Sequence, residues 1–243
     1  MQTQTKSLAG GELERCGMIP EDNPPEFFAK HLSAYHFLKS SVTDKTVLEV
    51  GFGDGYGMAY LAERAKEVVG IDIASPNIPL AQAKYPLKNL RFSQYDGLNF
   101  PFPDETFDVV GTFQVIEHIP EDKLSEWLGE IKRVLKKDGL FCASTLNLKN
   151  ALKPGVPYSK NVDHHKEFYA HELEDLLGKT FGRVSMHGLR YSVKHQAFRR
   201  LKKWGLSRLP FVKSHFQKTS VSDFRVTQRN VDTSIDLIAV CRH

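Results

Sequence analysis

The run Glu49-Val50-Gly51-Phe52-Gly53-Asp54-Gly55-Tyr56-Gly57 sets an acid two residues ahead of four alternating glycines. Glycines so placed let a backbone turn sharply and let a ligand approach where a Cβ would clash. The dinucleotide fingerprint Gly-x-Gly-x-x-Gly needs a further glycine where this chain has Tyr56 or Met58. Glu49 would also put negative charge beside a pyrophosphate, whereas it suits a cationic ligand. Asp72 follows Gly55 by 17 residues, close to the ~20 at which an acid can hold a ribose in such a crevice. A second set of reactive side chains is Glu117-His118, in VIEHIP, and a third is Asp163-His164-His165. Imidazoles titrate near working pH and serve as general bases. One glutamate and two histidines also make up the three-ligand set of a catalytic cation with an open position.

The elements that must position these groups alternate. Strands are expected at 46–50, 67–72, 89–94, 107–112, 139–145, 183–189 and 234–241, with helices through about residue 64 and at 79–84, 121–135 and 170–177. Strand–helix alternation at this spacing implies a parallel sheet with right-handed crossovers, an α/β fold. The glycine run lies at a strand-to-helix turn, where such sheets bind cofactors. Ahead of the first strand, Phe27, Phe28, His31, Leu32, Tyr35 and Leu38 recur at helical spacing behind Pro24 and Pro25, which predicts an amphipathic helix over 24–41. His31 and Tyr35 share one face of it. Residues 1–23 are polar and irregular and are expected to be flexible.

Composition narrows the classes. The 243 residues are 41% hydrophobic and 26% charged, which excludes a disordered tail, a collagen-like repeat and a membrane bundle. Cys16, Cys142 and Cys241 form no Cys-x-x-Cys pair, and the first residues hold no apolar signal segment. Both point to a reducing, cytoplasmic setting. Charge is uneven. Between Asp175 and Asp223 there are 11 basic residues and no acidic one, leaving 22 basic against 29 acidic elsewhere. Within this stretch, Val193, Ala197, Leu201 and Trp204 form an apolar stripe among Lys194, Arg199, Arg200, Lys202 and Lys203. The segment reads as a basic insertion over 192–230. It is a lid over an acceptor pocket, or a peripheral membrane contact through 193–205. No RNA-binding module is visible, which argues against a nucleic-acid partner.

The stretches VLEVGFGDGYG, VVGIDI, YDGLNFPFPDETFDVV, FQVIEHIP, RVLKKDGLF and STLN together resemble the class I S-adenosylmethionine-dependent methyltransferases. The likeness is to the type 11 group, which includes glycan-linked and ubiquinone-pathway O-methyltransferases. The resemblance implies a doubly wound, Rossmann-like, seven-stranded sheet of order 3-2-1-4-5-7-6 with the last strand antiparallel. Residues 24–243 would then be one methyltransferase domain, with a cap helix at its start and the basic insertion before its last strand. S-adenosylmethionine would be the cofactor and S-adenosylhomocysteine the product.

Roles follow position by position. Gly51, Gly53 and Gly55 would line the methionine and ribose part of the cofactor, with Glu49 behind them. Asp72 would accept the ribose hydroxyls, and Ile73 would pack on adenine. Asp96 would accept from the adenine amino group, with Gly97 and Leu98 beside it, and Gln114 would face the methionine end. His118, His164 and Glu117 are the catalytic candidates, and His31, Tyr35 and His165 the candidates around the acceptor. Ubiquinone-pathway and small-RNA methyltransferases carry Glu-x-x-Glu-His where this chain has Gln114-x-x-Glu117-His118. The lost acid argues against a metal, although Glu117, His118 and His164 could still supply three ligands. The expected acceptor is a hydroxyl on a small molecule or glycan intermediate. The alternative is a lipid-soluble phenol or quinone precursor met at the membrane surface. An NAD-dependent oxidoreductase would need the missing glycine, and a non-catalytic cofactor-binding partner would not need these motifs intact.

Overall fold

The computed structural model describes residues 17–152 and 155–243. The helices are α1 (Pro25–Leu38), α2 (Tyr56–Ala62), α3 (Asn77–Lys84), α4 (Leu124–Val134), α5 (Leu148–Ala151), α6 (Ala170–Gly178), α7 (Val193–Lys203) and α8 (Pro210–Gln217). The strands are β1 (Thr46–Val50), β2 (Glu67–Asp72), β3 (Leu90–Gln94), β4 (Phe107–Phe113), β5 (Leu135–Leu146), β6 (Arg183–Tyr191), β7 (Phe224–Thr227) and β8 (Asp236–Arg242). They form one sheet of order β3-β2-β1-β4-β5-β8-β6-β7. The first five strands are parallel, and β8 is antiparallel to both β5 and β6.

The sheet therefore has eight strands rather than the expected seven, with the seven-strand order intact and one strand added at its edge. The added strand β7 lies inside the segment read as an insertion and runs antiparallel to β6. At four residues, with Arg225 turned outward, it is too short to show a periodic pattern, and its brevity suits an edge. The helix predicted over 121–135 ends at Val134 because Leu135 starts β5, which shifts register against β4 at a bulge.

Side chains alternate across each strand, so the two faces of β1 bury different sets. Leu48 and Val50 pack under α4 and α6. Val47 packs under α1 and α2, and Glu49, two residues on, shares that face. Cys142 and Cys241 are buried free thiols on neighbouring strands that point to opposite faces of the sheet, Cys142 standing opposite Val240 and Cys241 opposite Phe141.

Flexibility is expected over 1–23. Residues 1–16 lie outside the described residues, and from Gly17 the chain packs on the glycine turn. There a Cβ on Gly17 would stand 3.0 Å from Gly53 Cα, and Glu21 pairs with Lys84 at 2.7 Å. The apolar stripe of α7 does not face the body. Val193 and Trp204 are each 71% exposed, while His195, on the opposite face, is fully buried.

Candidate functional site

The glycine turn joins β1 to α2. Gly51, Gly53 and Gly55 have φ of 76°, 57° and 91°, a region that side chains with a Cβ rarely adopt. Close packing adds to this at Gly51, where a Cβ would stand 2.6 Å from Val115 Cγ2, just past β4. The segment that follows β4, which carries Gln114 and Glu117, thus abuts the turn. Asp72, at the end of β2, is buried and accepts from the Gly53 and Ala74 N–H groups, both at 2.8 Å. Asp54 ties the turn to α3 by accepting from Lys84 Nζ at 3.1 Å and Tyr85 OH at 2.8 Å.

Glu49 sits directly beneath. Its Oε1 accepts from Tyr35 OH at 2.5 Å, while its Oε2 is buried with no hydrogen-bond partner. Burial, opposed by the Tyr35 hydrogen bond and reinforced by nearby Asp72, pushes the carboxyl up to about 8. Tyr35 reaches it only because residue 57 is glycine, since a Cβ there would lie 2.0 Å from the Tyr35 ring. An unpaired buried carboxyl oxygen beside a strained glycine turn fits a ligand with a cationic centre, as the spacing suggested.

Across the turn, Ile73 is 41% exposed, large for an isoleucine beside a strand end. A Cβ on Gly97 would only just touch it, at 3.5 Å, so Ile73 and Gly97 border one open apolar spot. Asp96 is exposed, and its own turn engages it. One oxygen accepts from Leu98 N–H at 2.9 Å and Asn99 N–H at 2.7 Å, the other from the Asn99 amide at 2.6 Å.

Tyr35 also borders a small enclosed cleft under α1, lined by Lys30, His31, Gln114, Ser144 and Asp236 among others. Gln114 has a left-handed φ of 59° and is held to Ser144 by its N–H at 2.8 Å and its side-chain amide at 3.3 Å. Lys30 pairs with Asp236 at 2.9 Å. His31 Nε2 is buried without a partner, and burial, with Lys30 alongside, holds its imidazole well below the usual histidine range.

Glu117, His118 and His164 converge, their ligand atoms all within 4.8 Å of one another. Glu117 is buried, its Oε2 has no partner, and burial pushes the carboxyl up to about 7. His118 Nδ1 faces the Asp163 carbonyl at 2.9 Å, and its ring meets His164 edge-on. His164 Nδ1 lies 2.6 Å from Glu167 Oε1, and the Asn161 amide donates to its Nε2 at 3.3 Å. That pattern fixes the tautomer: Nδ1–H donates to Glu167, and Nε2 carries the lone pair. Burial, with His118 alongside, disfavours the imidazolium at His164. His165 is exposed and contributes its backbone N–H, which bonds the Glu117 carbonyl at 2.8 Å.

Sequence reasoning missed Lys30, Asp236, Ser144, Glu167 and the 17–23 segment as parts of this region. Asp236 did leave a signal, as the one acid in the apolar run SIDLIAVC. Glu167 stands only three residues past His164 in the sequence, a spacing that assigns it no role by itself.

A family model described as a methyltransferase domain matches residues 48–143. A probable S-adenosylmethionine-dependent methyltransferase of Mycobacterium tuberculosis is 30% identical over 233 residues, covering 88% of this chain and 82% of that protein. Another, of Mycolicibacterium smegmatis, is 35% identical over 167 residues, which are 69% of this chain and 62% of the relative; the alignment thus spans less than two thirds of that protein. Among solved structures, a Thermotoga maritima SAM-dependent methyltransferase described as a possible histamine N-methyltransferase has a TM-score of 0.61 and 18% identity over 89% of this chain and 90% of that one. It shares the fold.

Proposed function

Because this chain belongs to the class I S-adenosylmethionine-dependent methyltransferases of the type 11 group, we propose that it methylates a hydroxyl on a small molecule or glycan intermediate. When bound, S-adenosylmethionine supplies an activated methyl group and departs as S-adenosylhomocysteine. The chain's own work is alignment and proton removal. In this reading Gly51, Gly53 and Gly55 admit the cofactor's methionine and ribose portion, and Glu49 answers its positive charge. Asp72 takes the ribose hydroxyls, and Ile73 with Asp96, Gly97 and Leu98 borders the adenine. Gln114 faces the methionine end, with His31, Tyr35 and His165 around the acceptor.

One observation carries the hydroxyl reading: the His164–Glu167 pair at 2.6 Å. A hydroxyl oxygen is a weak nucleophile until it gives up its proton, whereas a neutral amine attacks through its own lone pair, so a hydroxyl's attack benefits from a positioned base. His164 Nε2 is that base, once an acceptor hydroxyl replaces the long 3.3 Å contact from the Asn161 amide, with Glu167 behind Nδ1. Glu117 and His118 flank it. The same three side chains have the composition of a cation site, so a chelator separates the two chemistries.

A second reading places the acceptor on a lipid. Val193, Trp204 and Phe211 are 71%, 71% and 56% exposed, amid Lys194, Arg200, Lys202, Lys203 and Lys213. A basic face carrying exposed aromatics suits an anionic membrane surface.

The test is transfer of label from methyl-labelled cofactor into cell extract split into aqueous, lipid and RNA fractions. Label in the aqueous fraction that survives chelator dialysis and falls roughly 10²–10⁴-fold in His164→Gln supports the first reading. Label in the lipid fraction supports the second. Label in RNA, or full activity in His164→Gln, refutes the proposal.

A further inference from the structure

Away from this site, three potential ligands from separate segments meet under the lid. His195 lies in the first turn of α7, His215 in α8, and Asp223 at the end of the short turn that precedes β7. Their ligand atoms all lie within 4.8 Å of one another. His195 is fully buried, Asp223 is buried and His215 is half-buried. His195 Nδ1 is 2.9 Å from His215 Nε2.

We propose that His195, His215 and Asp223 form a divalent-cation site of the zinc-binding type, which fastens the lid helices α7 and α8 to the cap helix α1. Two imidazole nitrogens approach this closely by sharing either a proton or a cation. A third group favours the cation: the Asp223 carboxylate lies with both nitrogens inside 4.8 Å, which a shared proton does not require. His195 Nε2 lies 3.1 Å from Glu26 Oε1, so Nε2–H donates to a carboxylate and Nδ1 presents its lone pair toward His215. A carboxylate on the outer nitrogen is the usual way a ligating histidine is oriented. Glu26 is itself held by Arg199. Asp223 is oriented in turn, since one of its oxygens accepts from the Ser220 N–H at 3.1 Å.

The shell around these groups is apolar. Phe198 stacks on His215 with ring centroids 3.8 Å apart, and Tyr191, Phe216 and Phe224 surround His195. Bonds of about 2.0–2.1 Å to a tetrahedral centre put ligand atoms roughly 3.3 Å apart, so the imidazole pair needs only a few tenths of an ångström of adjustment. Two imidazoles and one carboxylate are a donor set that zinc accepts, leaving a fourth position for water. Glu26 links the site to function, because it lies one helical turn before Lys30 on the helix that also carries His31 and Tyr35 over the cleft.

The test is calorimetric titration of zinc alone into full-length, tag-free protein after dialysis against a chelator, with melting followed in parallel. The proposal expects one equivalent bound, a melting temperature that rises with zinc, and the visible absorption of a tetrahedral centre when cobalt replaces zinc. His215→Ala and Asp223→Asn should abolish this binding. Glu26→Gln should weaken it roughly 10–100-fold. A Glu117→Gln/His164→Gln variant should retain it, which separates this site from the one beside β4. Buried His195 is left in place, and the metal-free melting temperature of each variant shows that it folds. Absence of binding, binding that persists in His215→Ala, or binding lost in Glu117→Gln/His164→Gln overturns the proposal.

Discussion

Replacing Gly57 by alanine tests how the cap helix is seated over the glycine turn. The new Cβ would stand 2.0 Å from Tyr35 Cε1 and 2.1 Å from Cζ, far inside contact distance. The Tyr35 ring cannot slide aside: it is 3% exposed and wedged between Tyr56 and Phe113, with centroids at 5.5 and 4.1 Å. Either α1 lifts or α2 shifts. Overpacking of this kind costs about 1–3 kcal/mol. If the hydroxyl leaves Glu49, a buried carboxyl loses its hydrogen bond at a further cost of about 1–3 kcal/mol. The sum, roughly 2–6 kcal/mol, is a large share of a typical stability of about 5–15 kcal/mol.

The assay is urea unfolding of the wild type, Gly57→Ala, Tyr35→Ala and the double variant. With the Tyr35 ring gone, the added methyl has room, and an alanine in a helix is intrinsically favoured over glycine by roughly 0.5–1 kcal/mol. Gly57→Ala should then cost less than about 1 kcal/mol, so the two changes should couple by about 2 kcal/mol or more. Tyr35→Phe, which removes only the hydroxyl, should cost about 1–3 kcal/mol. If Gly57→Ala is equally damaging with and without the Tyr35 ring, the steric account of the Tyr35–Glu49 contact is wrong.

Glu49 should also leave a mark on pH dependence. Its folded-state value of about 8 lies above the ordinary 4.5. The stability it contributes is therefore present below about pH 4.5 and is lost as pH rises through 8. Glu49→Gln should flatten that decline in denaturation curves taken between pH 5 and 8.5, leaving the decline due to Glu117, which ends near its raised value of about 7. A cationic ligand favours ionised Glu49, so cofactor affinity should tighten with pH below 8, by at most about tenfold per pH unit. Binding near neutrality should release a proton, detectable as a buffer-dependent heat. A pH-independent affinity would remove Glu49 from the cofactor site. Asp72→Asn should weaken S-adenosylmethionine binding by about 1.5–3 kcal/mol, roughly 10- to 150-fold, in calorimetric titration. An unchanged affinity would defeat the ribose assignment.

Much of the frame around the glycine turn was legible without coordinates because its signals are local. The acid-and-glycine turn is one contiguous stretch, and a strand entering it fixes where the next strand ends, so Asp72 falls beside it. Alternation of short apolar runs with amphipathic segments dictates the parallel sheet, and Pro24-Pro25 announces the cap helix. Other features rest on which groups meet across the chain. Tyr35 bonds Glu49 because α1 crosses α2 at a glycine, and Lys30 pairs with Asp236 across 206 residues. The edge strand β7 exists because β6 offers it a partner, at a length too short to show its own period. The stripe on α7 has the spacing of a buried face, yet tertiary packing turns it to solvent and buries His195 instead, since Glu26, 169 residues earlier, and His215 together satisfy an imidazole that spacing alone leaves without partners. Local backbone preference and periodicity are written in neighbouring residues, whereas the partners of a buried charge or imidazole are chosen only when distant segments close around it.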